Sequence, residues 1–275
     1  MQQFRPGGFR ILPPVVKNLL IINALFFLAT IVASEVFRID LTNILGLHYF
    51  AAEEFSPYQF ITYMFMHGGF MHILFNMFAL WMFGNALENV WGPKKFLIYY
   101  FITGIGAAIV HYVVFYFEIS PVLNAINTYM DDPSPEKLNL FINSGYLKIG
   151  SYEIQDNFNA FRSEYNNLIH SNPTKAIQLS VDFINQYKID FLNLPVVVGA
   201  SGAVFGILLA FGMMFPNALI YVYFAIPVKA KYFVMIYGAL ELFSGIFDTG
   251  SNVAHFAHLG GMIFGYILIL YWKKR

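Results

Sequence analysis

VVVGASGAVFGILLAFGMMF, residues 196–215, is an apolar run interrupted near its start by Gly199-Ala200-Ser201-Gly202. About twenty apolar residues suffice for a helix to cross a bilayer. Hydrocarbon leaves unsatisfied polar groups expensive, so a small-residue, hydroxyl-bearing entry to such a helix implies that something approaches closely there. Two other polar spots sit in or beside apolar segments, His67 to Asn76 and Ala257-His258-Leu259-Gly260-Gly261. Together they point to chemistry carried out inside a membrane.

Composition agrees. The chain has 275 residues, 58% hydrophobic and 12% charged, against roughly 45–50% apolar and about 25% charged in soluble domains. The formal net charge of +0 gives no basic face for nucleic acid. With no cysteine, disulfides, thiolate catalysis and thiolate-bound metals are excluded. Six segments are candidate spans, at about 15–37, 58–87, 95–117, 196–215, 228–247 and 253–272. The first lacks a small-residue cleavage site and reads as a retained helix rather than a signal peptide. The stretch Ala218 to Ile226 is too short to span and is expected to lie along the membrane surface as a connector.

Lys and Arg set the expected orientation. The N-terminus carries Arg5, Arg10 and Lys17. Lys94 and Lys95 follow the second, Lys229 and Lys231 follow the connection after the fourth, and Lys273-Lys274-Arg275 end the chain. The other connections carry Glu35, Asp40, Glu53, Glu54 and Asp248. Both termini are therefore expected to be cytoplasmic. This brings Ser201, His67, His72 and His258 to similar depth in the outer half of the membrane.

From about 118 to 190 the chain turns polar, with turn signals at Asp132-Pro133-Ser134-Pro135 and Ser144-Gly145. Phe158, Phe161, Tyr165, Leu168 and Ile169 recur at helical spacing. Asn172-Pro173 has the form of an N-cap followed by Pro in the first turn. Ile177, Val181, Ile184 and Tyr187 mark the apolar face of the helix that follows. The expected fold is an all-α polytopic bundle of six transmembrane helices. Residues 1–117 would form its first three helices, 118–190 a small extracytoplasmic helical insertion, and 191–275 its last three. The insertion reads either as a packed decoration or as an element that recruits substrate.

A serine hydroxyl becomes a useful nucleophile when a neighbouring base takes its proton. His258 and His255 both lie in the sixth segment, and spacing alone does not choose between them. The small residues Ala257, Gly261 and Gly265 around His258, with Gly202 and Gly206 on the fourth segment, allow close helix contact. No acid is placed to orient the imidazole, since Asp248 falls in a loop. The expectation is a dyad whose ring is held by packing, with Phe205, one turn after Ser201, able to stack on it. His72 and Asn76 share a helix face. Both can donate hydrogen bonds to an oxyanion, as can the Ser201 amide. A hydrolase elbow is excluded, because position 203 is Ala and no parallel sheet can be built.

The set His67…His72-Ile-Leu-Phe-Asn76, Gly199-Ala-Ser201-Gly202 and Ala257-His258-x-x-Gly261-x-x-x-Gly265 resembles the rhomboid family of intramembrane serine proteases. The resemblance implies Ser201 as nucleophile and His258 rather than His255 as general base. It implies His72, Asn76 and the Ser201 amide as the oxyanion hole, with His67, Gly199 and Phe205 in support. It further implies an outward-open aqueous cavity, no cofactor or metal, and single-pass membrane proteins with locally unstable helices as substrates. The expected location is a bacterial inner membrane. Two departures concern the first loop, where Pro57-Tyr58-Gln59 carries no Arg, and Phe205, which stands where some relatives have Tyr. Three rival readings are a metal site built from His67, His72, His255 and His258 without an accompanying carboxylate, a haem-binding bundle, and a non-catalytic relative that binds and delivers membrane helices.

Overall fold

The computed structural model describes residues 10–194, 197–222, 225–247 and 254–274. Arg5, Val196, Asp248, Val253 and Arg275, which figure in the sequence expectations, lie outside them. The chain divides into two compact units. One comprises residues 1–47, 57–111 and 197–275; the other comprises 48–56 and 112–196.

In the first unit, α1 (Pro14–Phe37) leads into the short helices α2 (Leu41–Leu45) and α3 (Gln59–Thr62). Helices α4 (Phe70–Trp91) and α5 (Pro93–Asp131) follow. Among the described residues five helices are long and apolar enough to cross a membrane: α1, α4, α5 and two near the C-terminus described below. The N-terminus of α1 begins on Pro14, so its exposed donors are the next amides. The Glu88 carboxylate of α4 accepts from Val15 N–H at 2.9 Å and Val16 N–H at 2.8 Å. Glu88 is buried, and its charge meets both the orphan donors and the positive end of the helix dipole. Charge-assisted hydrogen bonds of this kind are worth about 2 kcal/mol. Glu88→Ala should therefore lower the melting temperature in detergent by several degrees, and Glu88→Gln, which keeps one acceptor, by less.

The third expected span ends at 117, yet α5 continues to Asp131 through Pro121. Hydropathy reports the solvent a helix meets, not where its backbone ladder stops. Beyond Glu118 the apolar residues Ile119, Val122, Ile126 and Tyr129 keep helical spacing and are buried in the second unit. That unit also holds α6 (Pro135–Asn143), α7 (Tyr152–Leu168) and α8 (Pro173–Asn193). The Ser134, Ser151 and Asn172 side chains accept from the amides of Lys137, Ile154 and Lys175, which caps all three helices. Phe161 stacks on Phe183 at 4.2 Å, and the Tyr187 hydroxyl donates to Tyr146 O while accepting from Lys148 N–H. Burial pushes the Tyr187 phenol up to about 12, so the hydroxyl keeps the proton it donates. Residues 48–56, read from sequence as part of the first loop, belong to this unit; Tyr49 is in its core.

The fourth apolar segment forms a helix only from Ser201, α9 (Ser201–Met214), because residues 197–200 are extended or turning before it. The connector expected from Ala218 to Ile226 contributes to an antiparallel pair of strands, β1 (Leu219–Val222) with β2 (Ile226–Lys229), paired Leu219 to Lys229 through Val222 to Ile226. Helices α10 (Ala230–Phe247) and α11 (His255–Lys273) close the unit. Gly202 and Gly206 of α9 face Gly261 of α11 so closely that a Cβ on Gly261 would collide with the Gly202 carbonyl. On the other side the Tyr99 hydroxyl of α5 donates to Gly206 O at 2.8 Å. Small residues thus let three backbones converge behind the start of α9.

Candidate active site

The approach to Ser201 is pinned on both flanks. Leu47 and Val197 exchange backbone hydrogen bonds at 3.1 and 3.3 Å, and Gly199 N–H donates to Tyr63 O at 2.8 Å. Tyr63 is itself tied to α5, its hydroxyl donating to Gly104 O at 2.7 Å. Thr62 donates to Leu45 O and Gln59 to Ile44 O, so the loop that holds Tyr63 is fastened without an arginine. The chain then passes through Gly199 at φ +118°, a conformation that side chains with a Cβ avoid.

Gly199 is also where α4 arrives. A Cβ there would stand 2.7 Å from His72 Nε2 and 3.8 Å from Asn76 Nδ2. Glycine therefore leaves a small space bounded by a backbone position without a Cβ and two side-chain nitrogens. The His72 ring accepts from Gly68 N–H at Nδ1, 3.4 Å away, which leaves the ring proton on Nε2, facing that space. Asn76 spends one amide proton on His72 O at 3.1 Å and retains a second. Ser201 opens α9, where the leading amides lack intrahelical acceptors. His67 stands behind this group, its ring 5.0 Å from that of His72 and its Nδ1–H donating to Phe65 O at 3.3 Å.

Ser201 Oγ lies 2.8 Å from His258 Nε2. The His258 ring lies flat on Phe205, with centroids 4.1 Å apart and an interplanar angle of 4°. Tyr237 of α10 also packs against Phe205, with ring centroids 5.1 Å apart and an interplanar angle of 30°. Of the two histidines that sequence spacing leaves open, His258 is the one bonded to the serine.

In one respect the structure overturns the sequence reading. The expected absence of an acid behind His258 is wrong. Glu241 of α10, buried, places Oε2 2.8 Å from His258 Nδ1 and 2.7 Å from His255 Nδ1. If His258 Nε2 is to accept from the serine hydroxyl, its Nδ1 must carry the proton and donate to Glu241. The two histidine protons meet one carboxylate oxygen, the charge-assisted arrangement that makes a buried anion tolerable. A signal for Glu241 existed in the sequence, since it is an acid inside an apolar span. Such a residue costs of order 3 kcal/mol near the bilayer centre and marks function by default.

Glu241, His255 and His258 also offer ligand atoms within 4.8 Å of one another. The statement that no carboxylate accompanies these histidines therefore fails as an argument against a metal. What speaks for hydrogen bonding is that both Nδ1 atoms already face the shared oxygen at donor–acceptor distance.

Chemically, the assembly couples a hydroxyl to an imidazole and sets donors about a nearby pocket of space. The rhomboid domain model matches residues 54–119 and 171–275, more than half of the chain; the unmatched stretch between them falls in the second unit. The chain is 35% identical over 78 residues to "Rhomboid protease GluP" of Bacillus subtilis (strain 168), covering 26% of this chain and 15% of that protein. It is 39% identical over 56 residues to "Putative rhomboid protease YdcA" of the same organism, covering 20% of this chain and 28% of that protein. The match to each curated relative thus spans less than a third of its length. With the family model laid across the same helices that bring Ser201, His258, His72 and Asn76 together, the chain belongs to the rhomboid family of integral membrane proteins.

Proposed function

We propose that this chain is an intramembrane serine endopeptidase that cleaves transmembrane segments of single-pass membrane proteins in a bacterial inner membrane. The observation that carries the reading is the 2.8 Å Ser201–His258 contact beside the space bounded by Gly199, His72 and Asn76. The names of the two Bacillus relatives support it. In this reading both termini are cytoplasmic and residues 118–190 are extracytoplasmic, as the Lys and Arg distribution favours. Helix α9, with 14 residues, is about 21 Å long, short of a hydrocarbon core of roughly 30 Å. Its first residue, Ser201, then sits below the outer surface, where water must reach it through a cavity.

A substrate helix unwinds locally and presents an extended peptide bond. Ser201 Oγ attacks the carbonyl carbon as its proton passes to His258 Nε2. The oxyanion accepts hydrogen bonds from His72 Nε2–H, the free Asn76 amide proton and the Ser201 backbone. His258 returns the proton to the leaving amine as the C–N bond breaks. Water then hydrolyses the acyl-enzyme with the same histidine as base.

Removing one oxyanion donor typically costs about 10²–10³ in turnover. His72→Ala and Asn76→Ala should each lower kcat for a transmembrane substrate by that factor, with KM nearly unchanged. The reading itself is tested with the purified natural protein in detergent. A fluorophosphonate should form a covalent serine adduct, and a single-pass reporter should be cut within its transmembrane segment with no loss on adding a chelator. Absence of both adduct and cleavage would overturn it in favour of a helix-binding relative without chemistry. Loss of cleavage on chelation would overturn it in favour of a metal site.

A further inference from the structure

We infer that Glu241 is a positioning residue for the proposed reaction, the third member of a Ser201–His258–Glu241 relay, with His255 holding Glu241 in place. The inference rests on the serine-protease reading above and goes beyond it, since a dyad needs no acid. Three distances carry it. Ser201 Oγ to His258 Nε2 is 2.8 Å, His258 Nδ1 to Glu241 Oε2 is 2.8 Å, and His255 Nδ1 to the same Oε2 is 2.7 Å.

Each contact has a consequence for the chemistry. The carboxylate accepts the Nδ1 proton and so selects the tautomer with a lone pair on Nε2, aimed at the serine. Phe205 fixes the plane of the imidazole by stacking on its face, but a stacked ring remains free to turn within that plane. The hydrogen bond to Glu241 removes this freedom. When the serine proton arrives at Nε2, the ring becomes an imidazolium whose charge faces the Glu241 anion across Nδ1–H. That proton stays on the ring, and Glu241 stays ionised throughout. His255, three residues before His258 on α11, donates its own Nδ1–H to the same oxygen. It thereby restrains the long glutamate side chain, whose rotamers would otherwise move the acceptor. Glu241 comes from α10 and both histidines from α11, so the relay also ties together the two helices whose connection follows Phe247.

Natural protein, Glu241→Gln, Glu241→Asp and His255→Asn are compared in detergent on a single-pass reporter, each normalised to the active sites that a fluorophosphonate titrates at completion. Losing the acid of a serine-protease triad costs up to about 10⁴ in kcat; here, with stacking retained, Glu241→Gln should lose roughly 10² in kcat per titrated site. KM should stay within about twofold, and the fluorophosphonate labelling rate should fall in parallel. Glu241→Asp should recover part of the loss because it restores the anion, and His255→Asn should lose several-fold in kcat. A residue that only supported the fold would instead lower the number of titratable sites and leave kcat per site unchanged. That result, or a Glu241→Asp no better than Glu241→Gln, overturns the inference while the serine-protease reading stands. Failure of the natural protein to cut or label is the separate outcome that removes the reading on which the inference rests.

Discussion

Ser201→Ala should abolish cleavage of a transmembrane reporter, by roughly 10⁴–10⁶-fold, and abolish fluorophosphonate labelling, while leaving the melting temperature within a degree or two of the natural protein. The size of the loss follows from the proposed mechanism. Without the hydroxyl no acyl-enzyme forms, and what remains is the modest catalysis supplied by oxyanion donors and binding alone. The small effect on stability follows from the structure. The Ser201 side chain is half-buried and hydrogen-bonds to His258, whose ring stays clamped between Phe205 and Glu241 when the serine is gone. Gly202, Gly206 and Gly261, which seat α9 on α11, are untouched. Equal cleavage by the alanine variant would remove Ser201 from the chemistry.

His258→Phe should cost as much in turnover but behave differently in stability. Phenylalanine preserves a flat ring on Phe205, so the packing contribution is largely kept, while the base is removed outright. Cleavage should fall by roughly 10⁴-fold or more, and fluorophosphonate labelling should slow with it because Ser201 has lost its proton acceptor. Unlike Ser201→Ala, this variant leaves the buried Glu241 carboxylate with one donor fewer, His255 alone remaining of the pair. Depriving a buried charged acceptor of a partner costs about 2 kcal/mol. The melting temperature should drop by several degrees even as the fold persists. The double variant Ser201→Ala/His258→Phe should be no slower than either single, since two groups that act as a unit are lost only once. Additive losses would show that the two side chains do not act on the same step.

Much of this architecture is legible along the chain because a membrane makes polar residues conspicuous. Ser201, His72, Asn76 and His258 stand out against apolar neighbours, and their small flanking residues mark where helices meet. Phe205 falls one turn from Ser201, so its stack on His258 follows once α9 and α11 touch. The caps at Ser134 and Asn172 are local as well, since each depends on a side chain and an amide three residues on. Other features were not local. The continuation of α5 past Glu118 depends on a second apolar core, to which Ile126 and Tyr129 contribute. The pairing of Leu219 with Lys229 rests on backbone hydrogen bonds between strands rather than on hydropathy.

What the sequence determined by itself is the membrane class and the candidates Ser201, His72, Asn76 and the pair His255 and His258, because each is a polar exception within one apolar segment and is read from that segment alone. What only the tertiary structure decided is the company that His258 keeps. Glu241 lies 17 residues before it and His255 three residues before it, on two helices whose mutual rotation no periodicity specifies. Whether an acid inside one span meets a histidine inside the next depends on which faces turn toward each other. That is settled by the packing of α9, α10 and α11 around Gly202, Gly261 and Phe205, and it turned an expected dyad into a hydrogen-bonded line of serine, histidine and glutamate.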